Sequence, residues 1–251
     1  MKRLKKNTSD IIASFLKEKK IKHVFGIIGS ANAHIFESIR KLNYTKIVCV
    51  HHEQAATMAI QTYFRVTGKI SAALITAGGA AANAITGVVS GWADSMPGII
   101  ISGQENSKFM KIHKNMRMWG IQGFDTIAMV KKVTKYSTRV LESKDILYEL
   151  EKSLHTSMSG RPGPVWLDIP VNIQGEFIEN YKTLKKFKAK IVKKTINKND
   201  LKKVIKLIKE AKRPVFWLGN GIRLSKSEKL IPKIIKKIPI PFFLTWAGVD
   251  M

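Results

Sequence analysis

Cysteine is almost absent from this chain: its 251 residues include only Cys49, which stands within an apolar run. A lone thiol cannot form a disulfide within the chain or a paired-cysteine metal site, so the composition favours a reducing compartment. No tract approaches the ~18 consecutive apolar residues of a membrane-spanning helix. The segment 1–20 is basic, but charged residues interrupt it before an apolar signal-peptide core can form. We therefore expect a cytoplasmic protein with no membrane partner.

Acidic residues are also scarce. Lysine and arginine number 44 against 18 aspartate and glutamate residues, which gives a net charge of +26. Such an excess can indicate a nucleic acid or another anionic partner. Here it is mostly lysine, is densest over 182–237, and accompanies apolar residues at helical spacing, as on the solvated faces of amphipathic helices. Because the chain has no RNP-like aromatic box, zinc-finger spacing or arginine cluster, we expect no specific nucleic-acid partner, only salt-sensitive adhesion.

Several catalytic motifs are missing. No GxxxxGK[ST] phosphate loop occurs, since the only Gly-Lys pair, Gly68 and Lys69, is followed by isoleucine. No GxSxG nucleophile motif occurs either. His52 and Glu53 begin like the zinc motif HExxH, but Ala56 stands where the second histidine would be. We expect no metal site within this chain.

Short β-rich apolar runs alternate with helical segments from the start of the chain. This alternation is typical of an α/β fold with a parallel sheet and helices on both faces, whose strands read as continuous apolar runs. The first helix is predicted to start near Thr8, with Thr8, Ser9 or Asp10 as its cap. The predicted strands are 23–28, 46–50, 71–76, 98–102, 132–140 and 165–169.

The pattern divides the chain into two domains. Residues 1–175 are predicted to form the first domain, and the lysine-rich, turn-poor stretch 176–198 a linker. The remainder, 199–251, reads as helix, strand, helix and strand, with PVFWLGNG and PFFLTWAGVDM as the strands. That is too little for a closed layer, so we expect an incomplete Rossmann-like α/β domain.

In open parallel sheets, chemistry takes place where the carboxyl ends of the strands meet. Four segments with unusual residues follow predicted strands, namely GIIGSAN (26–32), HHEQ (51–54), GGAAAN (78–83) and GQEN (103–106). The charged residue among them that stands out is Glu53. Its structural explanation is a carboxylate in the first turn of a helix, which the helix dipole favours by ~0.3–1 kcal/mol. The glycines likewise have a structural explanation in tight strand-to-helix turns.

Taken together, the segments resemble a known family. VFGIIGSANAHIFESI, the long block from HHEQAATMAIQ to SMPGIIISGQ, and GRPGPVWLDIP resemble the N-terminal, pyrimidine-binding domain of thiamine-diphosphate-dependent enzymes, closest to the acetolactate synthase large subunit group. The agreement runs through the first domain in order and spacing. PVFWLGNG and IPIPFFLTWAGVDM resemble the opening of that family's central domain.

The resemblance implies a role for Glu53. In the family, the glutamate of the HEQAA block binds N1′ of the cofactor's aminopyrimidine and thereby activates thiamine diphosphate, so Glu53 is expected to be the catalytic residue. Gln122 corresponds to a glutamine near the substrate, although it could equally cap a helix, and Arg161 to an arginine that contacts flavin in members that hold FAD, although it could equally bond loop carbonyls. The further positions expected to bind the cofactor are Gly26, Gly29, Ser30, Gly78 and Asn83.

The resemblance also implies partners and cofactors outside this chain. Family members bind the diphosphate through Mg²⁺ with a GDG…N motif in another domain, which does not occur here. We expect a homodimer or larger oligomer that obtains a diphosphate-binding domain from the full chain or a partner subunit and acts on a 2-keto acid such as pyruvate. Departures in the turn at Gly79, Ala80 and Ala82, and Ile28 in place of a proline, leave a carboligase or decarboxylase with another acyl donor as an alternative. A noncatalytic basic binding fragment is the alternative from another class.

Overall fold

The computed structural model describes residues 5–112, 115–189 and 196–250. The chain divides into two compact units, residues 1–189 and 190–251. The first unit contains β1 (Lys5–Asn7), α1 (Thr8–Glu18), β2 (His23–Gly26), α2 (Ala33–Leu42), β3 (Lys46–Cys49), α3 (Glu53–Thr67), β4 (Ala72–Ile75), α4 (Gly79–Ala93), β5 (Gly98–Gln104), α5 (Ser107–Ile112), α6 (Thr126–Val130), β6 (Tyr136–Arg139), α7 (Ile146–Met158), β7 (Pro164–Pro170), α8 (Val171–Gly175) and β8 (Phe177–Glu179).

Six strands of the first unit form one parallel sheet in the order β3-β2-β4-β5-β7-β6. Each strand lies within or overlaps one of the six predicted regions. Alternate residues of β4 face opposite layers: Leu74 packs in a cluster with residues of α1, α2 and α7, whereas Ile75 packs in a second cluster with residues of α3, α4 and α6. The prediction of a parallel α/β sheet with helices on both faces is confirmed.

The edge of the sheet at β3 is less covered than its centre. β3 pairs only with β2 among the described strands. Cys49 at its end is exposed, although its apolar neighbours in the sequence read as a buried strand. Cys49 is exposed because β3 is an edge strand, and an apolar run in the sequence does not tell an edge strand from a central one.

The first helix begins at Thr8, as predicted, but its cap lies one residue earlier. The Asn7 side chain accepts a hydrogen bond of 2.7 Å from the backbone N–H of Asp10. None of the three expected capping residues performs this role. Thr8 and Ser9 are instead buried and donate their hydroxyls to the backbone carbonyls of Glu176 and Gln174.

The first unit extends past residue 175, where its predicted end lay. β8 pairs antiparallel with β1, and Ile178 between them is buried. Further on, the backbone N–H of Phe187 donates to the Glu151 carboxylate at 2.9 Å, and the Phe187 ring lies 5.6 Å from that of Tyr148. Residues 176–189 are therefore packed against the first unit rather than forming a linker, because Ile178 packs at β1 and Phe187 packs on α7.

The second unit contains α9 (Lys198–Glu210), β9 (Phe216–Leu218), α10 (Gly221–Leu224), α11 (Ile231–Lys237) and β10 (Phe242–Leu244). β9 and β10, which lie in the two predicted strand regions, pair in parallel. None of the residues of α9, all of which the structure describes, is buried. Nowhere in the described residues is there a helix with the length and apolar character needed to cross a membrane.

Candidate functional site

Parallel strands bring their carboxyl ends to one edge of the sheet, and the four segments singled out in the sequence follow such ends. The first glycine loop follows β2, the HHEQ segment follows β3, the GGAAAN turn follows β4, and Gln104 ends β5. This edge of the first unit is therefore where a site is expected.

Glu53 is the first residue of α3 and is almost buried, with 9% of its surface exposed. His52 precedes it as the helix cap, because its Nδ1 accepts a hydrogen bond of 3.2 Å from the backbone N–H of Gln54. The Glu53 Oε2 atom accepts a hydrogen bond of 3.1 Å from Nδ2 of Asn83, which lies on α4. No hydrogen bond to the other oxygen, Oε1, is found within the described residues. Of the two carboxylate oxygens, Oε2 therefore has a protein partner among the described residues and Oε1 has none.

Close packing of α3 against α4 brings Asn83 to Glu53. A Cβ atom at Gly87 would lie 2.1 Å from Oγ1 of Thr57, and one at Gly91 would lie 3.3 Å from Cδ of Gln61. Both polar side chains of α3 donate to backbone carbonyls of α4, Thr57 to Ala84 at 3.0 Å and Gln61 to Gly87. Because glycines four residues apart lie on one helix face, they allow the two backbones to approach.

Sequence reasoning missed this contact between the helices. The signal was present, since Gly87 and Gly91 form a GxxxG spacing inside a helical segment, and Thr57 and Gln61 have the same spacing on α3. Such spacing indicates close helix approach only when the partner helix is known. The tertiary structure supplies that partner.

The first glycine loop is held by the buried side chain of Asn32. Its Oδ1 accepts from the backbone N–H of Gly29 at 2.8 Å, and its Nδ2 donates to the carbonyl of Ile27 at 3.1 Å. A Cβ atom at Gly29 would lie 2.6 Å from Oγ1 of Thr76, the residue after β4. Gly29 is therefore required for the loop to pack on β4, and Ser30 beside it is exposed.

Gly26 is the last residue of β2 and lies in the sheet. It is buried within β2, and a Cβ atom there would lie 2.2 Å from the backbone oxygen of Leu74 on the neighbouring strand. Its contacts in the described structure are therefore those of sheet packing. A direct cofactor contact through Gly26 stays a prediction.

The second glycine turn contacts the segment that contains Gln122. Gly78 has φ of +77°, and a Cβ atom there would lie 2.5 Å from the backbone oxygen of Gln122. Gln122 in turn donates its backbone N–H to Oε1 of Glu105 at 3.2 Å. The fold therefore brings together two positions that lie 44 residues apart, Gly78 and Gln122. A side chain at position 78 would disturb both the backbone conformation and this contact.

Arg161 lies at the opposite edge of the sheet, because it precedes β7. Its Nε donates to Oγ of Ser95 at 2.7 Å, and its Nη2 donates to the carbonyl of Ala93 at 3.5 Å. It lines a cavity of about 270 Å³ together with Trp92, Ala93, Lys135 and Pro162. The structure thus does not bring Arg161 to Glu53, and its present partners are those of a loop arginine.

Metal-ligating side chains do not cluster at this edge. No group of three or more histidine, cysteine, aspartate or glutamate side chains that could hold a metal ion occurs among the described residues. The carboxylate of Glu53, with its Asn83 partner, can accept a further hydrogen bond from a donor group.

Comparison with known proteins identifies the domain. Residues 6–129 match the family model for "Thiamine pyrophosphate enzyme, N-terminal TPP binding domain". Residues 6–129 are therefore identified as an N-terminal domain of the thiamine pyrophosphate enzyme family. The matched segment includes all the positions described above at the carboxyl edge of the sheet, from the first glycine loop to Gln122.

Relatives of this thiamine pyrophosphate domain include acetolactate synthases. The chain is 30% identical over 244 residues to the acetolactate synthase large subunit of Haemophilus influenzae, covering 96% of this chain and 42% of that protein. It is 26% identical over 244 residues to the acetolactate synthase isozyme 3 large subunit of Escherichia coli, with the same coverage. It is 28% identical over 247 residues to the chloroplastic acetolactate synthase of Arabidopsis thaliana, covering 96% of this chain and 35% of that protein. The chain thus spans less than half the length of these curated relatives.

Proposed function

We propose that this chain contributes the pyrimidine-binding domain of an acetolactate-synthase-like enzyme, which decarboxylates a 2-keto acid such as pyruvate and transfers the two-carbon unit. Membership of the thiamine pyrophosphate family and the named relatives support the enzyme class. The observation that carries the proposal is the nearly buried carboxylate of Glu53, with Oε2 held by Asn83 and Oε1 directed to no described partner.

The site fits the aminopyrimidine part of thiamine diphosphate. Glu53 would accept a hydrogen bond from a protonated ring nitrogen, and burial would make that charge-assisted bond strong. Asn83 fixes the carboxylate by its bond to Oε2, so that Oε1 is the acceptor that remains. Gly29 and Gly78 lie where side chains would clash with Thr76 and Gln122, and they keep the walls of the site as backbone.

When bound, thiamine diphosphate supplies the electron sink for decarboxylation of the 2-keto acid. The chain's own contribution is to hold the proton of the ring nitrogen at Glu53 and to keep water from the carboxylate. Gln122, whose backbone contacts the Gly78 turn, would lie toward the substrate. The assembled enzyme would supply Mg²⁺, the diphosphate-binding domain and a second copy of the chain. We place this enzyme in the cytoplasm as part of the proposal. FAD is proposed only as an additional cofactor, bound in part through Arg161.

Replacement of Glu53 by glutamine tests the proposal. The assay measures turnover of pyruvate with thiamine diphosphate and Mg²⁺, in the assembly that contains the diphosphate-binding domain. Glu37→Gln is the matched control, because Glu37 is an exposed carboxylate on α2 that pairs with Arg40 and Lys41. We expect turnover of the Glu53→Gln protein to fall by at least about a hundredfold, in the range for a lost general acid–base or charge-stabilising group.

Undiminished turnover in the Glu53→Gln protein would contradict the role of Glu53. Turnover with an acyl donor other than pyruvate would favour the related carboligase or decarboxylase, which the exposed Ile28 in the first glycine loop leaves open. If the assembly shows no turnover but the chain binds acidic polymers at high salt, the noncatalytic binding function would be supported instead.

A further inference from the structure

A buried ionic network lies beside the Gln122 segment and is not explained by the proposed chemistry. Its centre is Asp168 on β7, which is fully buried. Asp168 pairs in register with Ser102 on β5 and with Arg139 on β6, so the three side chains project from one face of the sheet. Oδ1 of Asp168 accepts from Oγ of Ser102 at 2.6 Å, and Oδ2 accepts from Nε of Arg139 at 2.8 Å.

Three contacts connect the network in the sheet to the segment around Gln122, at Trp119, Phe124 and Asp125. Gln104 donates through Nε2 both to Oδ2 of Asp168 at 3.0 Å and to the backbone oxygen of Phe124 at 2.9 Å. Nη2 of Arg139 donates to Oδ1 of Asp125 at 3.0 Å. The Arg139 guanidinium also stacks on the ring of Trp119, with Cζ 4.6 Å from the ring centroid.

These three contacts enclose a tight turn, Trp119–Gly123. The backbone N–H of Trp119 donates to the Gly123 carbonyl, and that of Gly123 donates to the Trp119 carbonyl, both at 2.9 Å. Gln122 lies inside the turn and faces Gly78, as described above. The side chains that fix the two ends of the turn are thus connected through Arg139 to a carboxylate in the core.

We propose that Arg139 is a positioning residue, which joins Asp168 to Asp125 and Trp119 and so holds the Gln122 turn against the Gly78 turn. Its importance for substrate rests on the proposed function, whereas its effect on the turn does not. An arginine is suited to this role because its planar fork can donate in two directions while its face stacks on an aromatic ring, and a lysine cannot do all three.

The electrostatics of Asp168 favour the same interpretation. Burial raises the pKa of Asp168, and the cation of Arg139 together with the hydrogen bonds from Ser102 and Gln104 acts in the opposite direction. A buried carboxylate in this setting needs its cation, since an unpaired charge in the core is strongly unfavourable. The ion pair with Asp168 therefore holds the Arg139 side chain in place, and only 16% of that side chain is exposed.

Amide hydrogen exchange of the protein measures the turn directly. The amides of Trp119, Gln122 and Gly123 donate the hydrogen bonds given above, so we expect them to be protected from exchange. The Arg139→Lys variant keeps a cation for Asp168 but cannot also bond to Asp125 and stack on Trp119. We expect it to increase exchange at these amides about tenfold, with no change in α7. Trp119→Leu, which removes only the stacking partner, should have the same effect with less risk to folding. Arg65→Lys is the control, because Arg65 pairs with Asp94 at 2.7 Å away from the turn.

A kinetic measurement separates positioning from a purely structural role. In the assembly used for the turnover assay, we expect Arg139→Lys to raise KM for pyruvate roughly tenfold while kcat changes less than about twofold, since a misplaced turn impairs substrate alignment. Unchanged exchange in both variants, or faster exchange throughout the first unit, would overturn the proposal. Faster exchange with an unchanged KM would overturn it as well. If the unaltered assembly has no turnover, the proposed function fails, and the exchange data alone decide the positioning role.

Discussion

Replacement of Gly87 by alanine tests the helix contact that holds Glu53 beside Asn83. The new Cβ atom would lie 2.1 Å from Oγ1 and 2.8 Å from Cβ of Thr57, and 3.1 Å from the backbone nitrogen of Met58, whereas an ordinary contact begins at 3.4 Å. Rotation of the Thr57 side chain cannot relieve the contacts to its Cβ or to the Met58 backbone. The two helices must therefore separate, and the hydrogen bond from Thr57 to the Ala84 carbonyl is then weakened.

The expected loss of stability follows from three terms. Overpacking costs about 1–3 kcal/mol, and loss of a buried hydrogen bond costs about 1 kcal/mol. Alanine in a helix interior offsets this by about 1 kcal/mol relative to glycine. We expect the free energy of unfolding to fall by about 1–3 kcal/mol. Gly79→Ala on the same helix is the control, because a Cβ atom there meets nothing within 4 Å.

Urea unfolding followed by tryptophan fluorescence measures this change. Trp166 in the first unit is fully buried, whereas Trp217 and Trp246 of the second unit are 78% and 95% exposed, so loss of blue-shifted emission reports the first unit. Thr57→Ala in the Gly87→Ala background should recover part of the loss, because it removes the closest atom but leaves the contact with Cβ. A Gly87→Ala protein as stable as the unaltered protein would refute the close packing of α3 on α4.

Three further predictions concern parts of the chain outside the site. Cys49 is exposed, so a thiol reagent should modify it in the native protein within about tenfold of the rate in urea, and a thiol that reacts only after unfolding would contradict the edge position of β3. Burial and the bond to Glu149 raise the pKa of Tyr136, so tyrosine ionisation of the folded protein should include a late component that disappears in Tyr136→Phe. Because that pKa is raised in the folded state, the stability contributed by Tyr136 is complete below the ordinary tyrosine pKa and is lost as the pH rises through the raised value. A titration that Tyr136→Phe leaves unchanged would contradict this. Ile178→Ala should lower the free energy of unfolding by about 2 kcal/mol, whereas an effect near zero would mean that β8 is not part of the first unit.

The sheet was predictable from the sequence because its central strands, β4, β5 and β7, are short apolar runs bounded by helical segments. Both faces of a parallel sheet are covered, so burial demands apolar residues at successive positions, as in Ile99, Ile100 and Ile101 of β5. The ends of the strands were less predictable. β2 stops at Gly26, two residues before its predicted end, since an apolar residue in the following loop reads like strand.

The region of the candidate site was predictable for a related reason. Strand ends in a parallel sheet meet at one edge, so segments rich in glycine and polar residues after those strands had to lie together. Glu53, the two glycine turns and the Gln122 segment are at that edge. Arg161 is not, because it precedes its strand rather than following it. Whether a residue precedes or follows its strand decides at which edge of the sheet it lies.

Side-chain partners were not predictable in the same way. Asn7 rather than Thr8 caps α1, and the residues from 176 to 189 pack on the first unit although four of the fourteen are lysines. Each result depends on surfaces contributed by distant parts of the chain. Propensity and composition describe a segment by itself and contain no information on such surfaces.

The order of apolar runs and turns thus determined the parallel sheet and the edge at which chemistry is expected, because hydrophobic periodicity and strand direction are local properties. Only the tertiary structure decided that α4 approaches α3 closely enough for Asn83 to bind Glu53. It alone decided that Arg139 reaches both Asp168 and Asp125. Contacts of this kind depend on distances of a few ångströms between elements far apart in the chain, and those distances are fixed by packing of the whole domain.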